Sequence, residues 1–182
     1  MSRAAVALVL GGSPEAPEIL FIKRASREGD PWSGQMAFPG GRYDPEDGSE
    51  RETAIRETEE EVGLSLREAE FFGRIDDLRG RPATPSGGIV VSAHVASLPA
   101  TPPLVINAEV AEAFWFPLSE LVDPGRRVQY RYPGQESMSF PGLVVGDPER
   151  HVVWGLTYRF LEIFFEITGH PLDRRPSDLD RL

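Results

Sequence analysis

Arg56, Glu57, Glu60 and Glu61 crowd three carboxylates and a guanidinium into a short stretch patterned as helix. Residues three and four apart share a helix face, so the glutamates form one acidic patch. Each like-charge pair at that spacing costs an isolated helix only ~0.2–0.5 kcal/mol, so a plain solvated face is physically acceptable. Three neighbouring features argue for chemistry instead. Arg56 can pair with Glu52 and Glu60 one turn away. Pro39-Gly40-Gly41 lies upstream, where backbone without side chains can approach a ligand or donate carbonyl oxygens. Carboxylates and a carbonyl are also the hard oxygen donors that Mg2+ takes, with substrate phosphates and waters completing the octahedron. A calcium loop is the rival reading of Asp44, Asp47 and Gly48. It fails because the two preceding ligand positions hold Tyr43 and Pro45.

These residues must be positioned by the elements around them. Ser49 is a good N-cap, Glu52 would complete a capping box, and Gly63 is a left-handed stop, giving a helix over 49–62. Ala54, Ile55, Thr58 and Val62 fall on its less polar side. Apolar runs separated by turn residues predict strands at Ala4–Leu10 and Glu18–Lys23, with a short apolar piece at Met36–Phe38. Further strands are expected at Glu70–Asp76, Ile89–Ser97 and Glu112–Pro117, with a Gly/Pro-rich loop at Arg79–Gly88. A helical turn is expected at Ser119–Val122, a hairpin within Arg126–Val145, and a second helix over His151–Thr168. That helix carries Trp154, Tyr158, Leu161, Phe164 and Phe165 on a broad apolar face, expected to be core with part at a subunit interface, as in a homodimer. Strands mixed with two helices indicate an α+β fold or an α/β sandwich. One domain over 1–169 is expected, followed by a polar tail over 170–182.

The bulk composition narrows the function. The chain has 182 residues and a net charge of -10, which disfavours a nucleic-acid binder needing a basic stripe. An anionic small molecule would need local arginines or a metal ion to offset that field. With no cysteine, thiolate zinc sites and cysteine nucleophiles are excluded. The apolar run at 4–10 is followed by Gly11, Gly12, Ser13 and Pro14 and reads as a buried strand rather than a targeting signal. Nothing approaches the ~20 apolar residues of a membrane span, and the expected location is cytoplasmic.

The stretch RETEEEVGL (56–64) resembles the end of the Nudix box, G-x5-E-x7-R-E-U-x-E-E-x-G-U, with Thr58 where an aliphatic residue is usual. The front half departs from it. Gly41 lies one residue too far from Arg56, and Gly48 takes the place of the first glutamate, so that Asp47 or Glu52 would brace the arginine. This expansion, with the D-P-x-D run after Gly-Gly, is similar to the coenzyme A pyrophosphatase branch of the superfamily. LFIKRA (20–25), GQMAFPGG (34–41) and WGLT (154–157) resemble that branch too, although Gly29 and Asp30 stand near the place of its arginine.

The resemblance implies a mixed sheet sandwiched between helices and a Mg2+-dependent pyrophosphohydrolase, with Mn2+ a possible substitute. It implies Glu57 and Glu61 as principal metal ligands, Glu60 as a third ligand or water-mediated bridge, the Gly40 carbonyl as a further donor, and Arg56 orienting the glutamates. The implied reaction is attack of water on a nucleoside diphosphate linked to another moiety, coenzyme A leading. ADP-ribose, nucleotide sugars, NADH and dinucleoside polyphosphates are alternatives, and an inactive ligand sensor is a reading of another class. An isomerase of isopentenyl diphosphate shares the fold but uses a cysteine, absent here.

Glu60 is the first choice of general base, with Glu109 or Glu112 behind it. Arg24 and Arg27 are candidate phosphate clamps, because a guanidinium offers phosphate a planar fork. Gly41 is assigned to substrate binding, and Arg79 and Arg81 are weaker clamp candidates. Trp32 could stack on a base but is more simply a packing residue. His94, His151, Phe114, Trp115 and Phe116 are read as structural.

Overall fold

The computed structural model describes residues 2–29, 32–80, 88–132 and 138–172. The chain divides into two compact units, Met1–Leu118 and Ser119–Leu182.

The first unit is built on a mixed sheet of seven strands: β1 (Ser2–Gly11), β2 (Glu18–Arg24), β3 (Met36–Ala37), β4 (Gly40–Arg42), β5 (Glu70–Gly80), β6 (Ile89–Ser97) and β7 (Val110–Pro117). The long apolar run of β1 is buried because both its edges are paired. One edge runs parallel to β6 from Ser2 to Leu10. On the other, β2 pairs antiparallel only at Leu10 and Gly11, and the two strands then part. Residues 36–42 occupy that fork. Met36 and Ala37 pair with β2, while Gly40, Gly41 and Arg42 pair with Val6, Ala5 and Ala4 of β1. At the crossing, the Pro39 carbonyl accepts from the Ala7 N–H at 2.9 Å, so the proline's lack of a donor does no harm. The Gly-Gly pair, read from sequence only as backbone without side chains, is therefore part of a short strand paired with β1.

Helix α1 (Glu50–Val62) lies against β1 and β4. Its Ala54, Ile55 and Val62 join Ala5, Ala7, Val9, Leu20 and Ile22 in one buried cluster. Small residues on β1 let the helix backbone come close. Both caps form as expected: Ser49 Oγ accepts from the Glu52 N–H at 3.2 Å, and Gly63 takes φ 66. Thr58, where an aliphatic residue is usual in the Nudix box, is fully buried and donates to the Ala54 carbonyl at 2.7 Å, which satisfies its hydroxyl without leaving the helix.

One expectation is corrected in the strands. β5 continues to Gly80, so Arg79 pairs with Val90 of β6 instead of belonging to a loop. Arg81 and Asp30 lie outside the described residues.

The second unit holds a three-stranded antiparallel sheet, β8 (Arg127–Arg131), β9 (Ser139–Val144) and β10 (Val152–Trp154), followed by helix α2 (Gly155–Ile167). The expected hairpin is β8 and β9. The expected helix begins later than His151, because residues 152–154 are extended and pair with Val144, Leu143 and Gly142. Trp154 thus leaves the helical face and stacks on Tyr130 at 5.0 Å between ring centroids. Tyr158, Leu161, Phe164 and Phe165 are buried as expected. No helix among the described residues is long and apolar enough to cross a membrane.

Candidate active site

Two glutamates of α1 are fitted against two successive glycines of β4. Glu57 and Glu61 are one turn apart, a rise of about 6 Å, on the face turned to β4. Glu61 is 2% exposed, and its Oε2 accepts from the Gly40 N–H at 2.9 Å. A β-carbon on Gly41 would lie 2.3 Å from the Glu57 carboxyl carbon. One on Gly40 would lie 2.3 Å from the Ala5 carbonyl oxygen, and Gly40 also has φ 153. Glycine is therefore required at 40 by the neighbouring strand and by its own backbone angle, whereas at 41 a side chain would displace the Glu57 carboxylate from its place.

The electrostatics of these glutamates are set chiefly by burial. Loss of hydration pushes Glu61 up to about 7, against the opposing pull of the Gly40 N–H and Arg24, while Glu57 and Glu109 push it further up. Glu57 is also raised by burial, an effect that Arg56 opposes and that Glu60 and Glu109 reinforce. A buried carboxylate with a half-buried one a turn away is costly unless cations share the site, and Arg56 supplies one for Glu57 alone.

Arg56 anchors Glu57 from outside. Its Nε donates to Asp47 Oδ1 at 2.6 Å and its Nη2 to Asp47 Oδ2 at 3.0 Å. Its Nη1 donates to Glu57 Oε1 at 2.9 Å and reaches Glu60 Oε2 at 3.4 Å. Of the two braces expected, Asp47 or Glu52, the structure has Asp47, and the i–4 pairing with Glu52 does not form. The hydrogen bond from Arg56 holds the Asp47 carboxyl well below the usual carboxylate range, burial opposing and Thr53 assisting. Thr53 was not singled out from the sequence, although it lies three residues before Arg56 and four before Glu57, on their helix face. Its hydroxyl donates to Asp47 Oδ2 at 2.7 Å.

Glu60 points outward, its side chain 57% exposed. Glu109 belongs to a loop tied to the end of α1. The Val105 and Asn107 N–H groups donate to the Val62 and Glu61 carbonyls at 2.9 and 3.1 Å, capping acceptors the helix leaves open. Asn107 Oδ1 then accepts from the Glu109 N–H at 2.8 Å. The resulting turn holds Glu109 where its charge is felt by both Glu57 and Glu61. Glu109 also accepts from Arg27 Nη1 at 3.1 Å, whereas Glu112 faces Lys23 at 3.8 Å. Arg24 sits at a register shift between β2 and β7, and its charge acts on Glu61. His94 is buried with Ser92 3.3 Å away and is held below the usual imidazole range by burial, in keeping with a structural role.

The donor set is all oxygen and fits a hard cation. Among the described residues, no group of three Asp, Glu, His or Cys side chains is arranged to hold a metal ion. Glu57 and Glu61, with a backbone carbonyl such as Gly40's, would leave several positions for waters and phosphates. That is how magnesium is commonly bound.

Comparison with known proteins identifies the family. A NUDIX domain is matched over residues 1–134. An uncharacterized Nudix hydrolase named NudL from Photorhabdus laumondii is 36% identical over 163 residues, covering 85% of this chain and 78% of that protein. Across the first curated relatives, the chain spans between 34% and 78% of their length. Among solved structures, a MutT/nudix family protein from Enterococcus faecalis superposes with a TM-score of 0.60 at 20% identity, covering 92% of this chain and 62% of that one. An Ap4A hydrolase of C. elegans gives 0.55 at 19% identity, covering 75% and 91%. At those identities the structural likeness speaks for the fold, whereas the sequence match over most of the chain decides the family: this chain belongs to the Nudix hydrolases.

Proposed function

We propose that the chain is a magnesium-dependent pyrophosphohydrolase acting on a nucleoside diphosphate linked to another moiety, with coenzyme A or its derivatives the leading substrate. The observation that carries this reading is the pair Glu57 and Glu61, the first half-buried and the second buried, packed against Gly41 and Gly40 and raised by that loss of hydration. Two such carboxylates suit a cation better than a solvated acidic face. A magnesium ion, or manganese in its place, would neutralise phosphate oxygens and make a water more acidic. Glu57 and Glu61 would be its principal ligands, with Glu60 and the Gly40 carbonyl secondary.

In the reaction, a water oxygen bonds to one phosphorus, the bridging P–O bond breaks, and two phosphorylated products leave. The proton lost by the water passes to a general base. Glu60 remains the first choice, because it is exposed to solvent beside Arg56, one turn from Glu57. Glu109 is the second, because its loop is fixed near the glutamate pair. An E60Q variant with near-normal turnover would eliminate the first choice. Arg24 and Arg27 are assigned to the substrate phosphates, Arg27 exchanging Glu109 for phosphate, and Gly41 to close backbone approach.

The family match runs past Leu118 to residue 134, which supports reading 1–169 as one catalytic domain. A cytoplasmic location and a homodimer complete the proposal.

The deciding experiment is a panel of coenzyme A, ADP-ribose, nucleotide sugars, dinucleoside polyphosphates and NADH with magnesium, with an E61Q control. Fastest turnover of coenzyme A, lost in E61Q, supports the reading. Preference for another member redirects the substrate, and no turnover of any favours a ligand-sensing domain.

A further inference from the structure

We propose that Asp47, fixed by Thr53, is the positioning residue that aims Arg56 at Glu57, in place of a glutamate at position 48. This rests on the reading of Glu57 as a cation ligand.

A guanidinium is planar, so fixing two of its nitrogens fixes the direction of the third. Asp47 takes Nε at 2.6 Å and Nη2 at 3.0 Å, leaving Nη1 directed at Glu57 Oε1, 2.9 Å away. Asp47 is itself held. Thr53 Oγ1 donates to Oδ2 at 2.7 Å, and the Asp44 N–H donates to the same oxygen at 3.2 Å. Glu57 is closed in on its other side by Gly41, where a β-carbon has no room. The chain from Thr53 through Asp47 and Arg56 to Glu57 thus leaves the carboxylate little freedom.

Position 48 cannot supply this brace. Gly48 ends the 3-10 turn Pro45–Asp47 in the left-handed region, at φ 75, where side-chain-bearing residues are strained. In this turn it is the preceding residue, Asp47, whose carboxylate faces the guanidinium.

The test is Mn2+ binding followed by the free-ion electron paramagnetic resonance signal, alongside kcat and KM, in purified full-length protein. D47N is expected to weaken Mn2+ binding about 10-fold, as loss of a partner behind a metal ligand typically does. It should also lower kcat more than it raises KM. T53V should shift both in the same direction by less, and E52Q should leave both unchanged. A D47N/G48E double variant should not recover the loss.

Mn2+ affinity and kcat within twofold of wild type in folded D47N would overturn the proposal, as would full recovery by G48E. Should D47N not fold, an unchanged T53V overturns it equally. If wild type itself bound no Mn2+, the functional reading would fail first, and this proposal with it.

Discussion

The two halves of the segment 40–64 meet the same demand by different means. In the helical half, Arg56, Glu57, Glu60, Glu61 and Gly63 stand at the fixed positions of the Nudix box. In the turn half, one residue is added and the first glutamate is replaced by Gly48. Yet Arg56 still receives a two-point carboxylate, from Asp47. What folding and chemistry require is a carboxylate at one place in space beside the guanidinium, and its position in the chain can slip when the backbone turn changes. The helical half has no such freedom, because Glu57 and Glu61 must both meet successive glycines of β4.

That contrast predicts that substitutions in the helical half cost more than those in the turn half. The largest effect is expected for E61Q, which keeps shape and removes a cation ligand: kcat/KM should drop by about 10^3-fold or more, equivalent to ~4 kcal/mol. Without added metal the same variant should melt at a higher temperature than wild type, because a buried charge is replaced by a neutral amide. Calorimetry with EDTA checks this. Next comes G41A, whose β-carbon would push the Glu57 carboxyl aside. A loss of about 10- to 100-fold in turnover is expected, from misplacement of a single ligand.

In the turn half, D47N should fold and keep measurable activity. Its signature lies in acid. The Asp47 pKa is lowered in the folded protein. Its contribution to stability is therefore present above the unfolded carboxylate pKa of about 3.9 and is lost as pH falls below that value. Wild type should lose its stability advantage over D47N on acidification from pH 5, measured by urea unfolding. An advantage that grew in acid would contradict the assignment. The smallest effect is expected for E52Q, whose side chain has no part in the brace, with Tm and kcat both unchanged.

The sequence made the helix legible because its signals are local: Ser49 and Gly63 as caps, and apolar spacing that turns one face to the sheet. Ile89–Ser97 was equally plain, an apolar run between turn residues, and it is a fully paired inner strand. The fork at β1 and β2 was not legible, because residues 36–42 have no periodicity of their own and are strands only where two other strands part. Trp154 was misread for a related reason: its apolar spacing continues that of α2, while its backbone is held by β9. In the site, the glutamates were visible as a pattern. Their burial was not, since it depends on β4 lying across the helix. The brace was narrowed to Asp47 or Glu52 by distance along the chain, and only the 3-10 turn decides between them.

The most direct test of the central claim is Mn2+ titration of an E57Q/E61Q double variant followed by water proton relaxation. Wild type is predicted to bind the ion and enhance relaxation, and the folded double variant to show no enhancement. Equal enhancement in both proteins would place the ion elsewhere and contradict the assignment of Glu57 and Glu61 as its site.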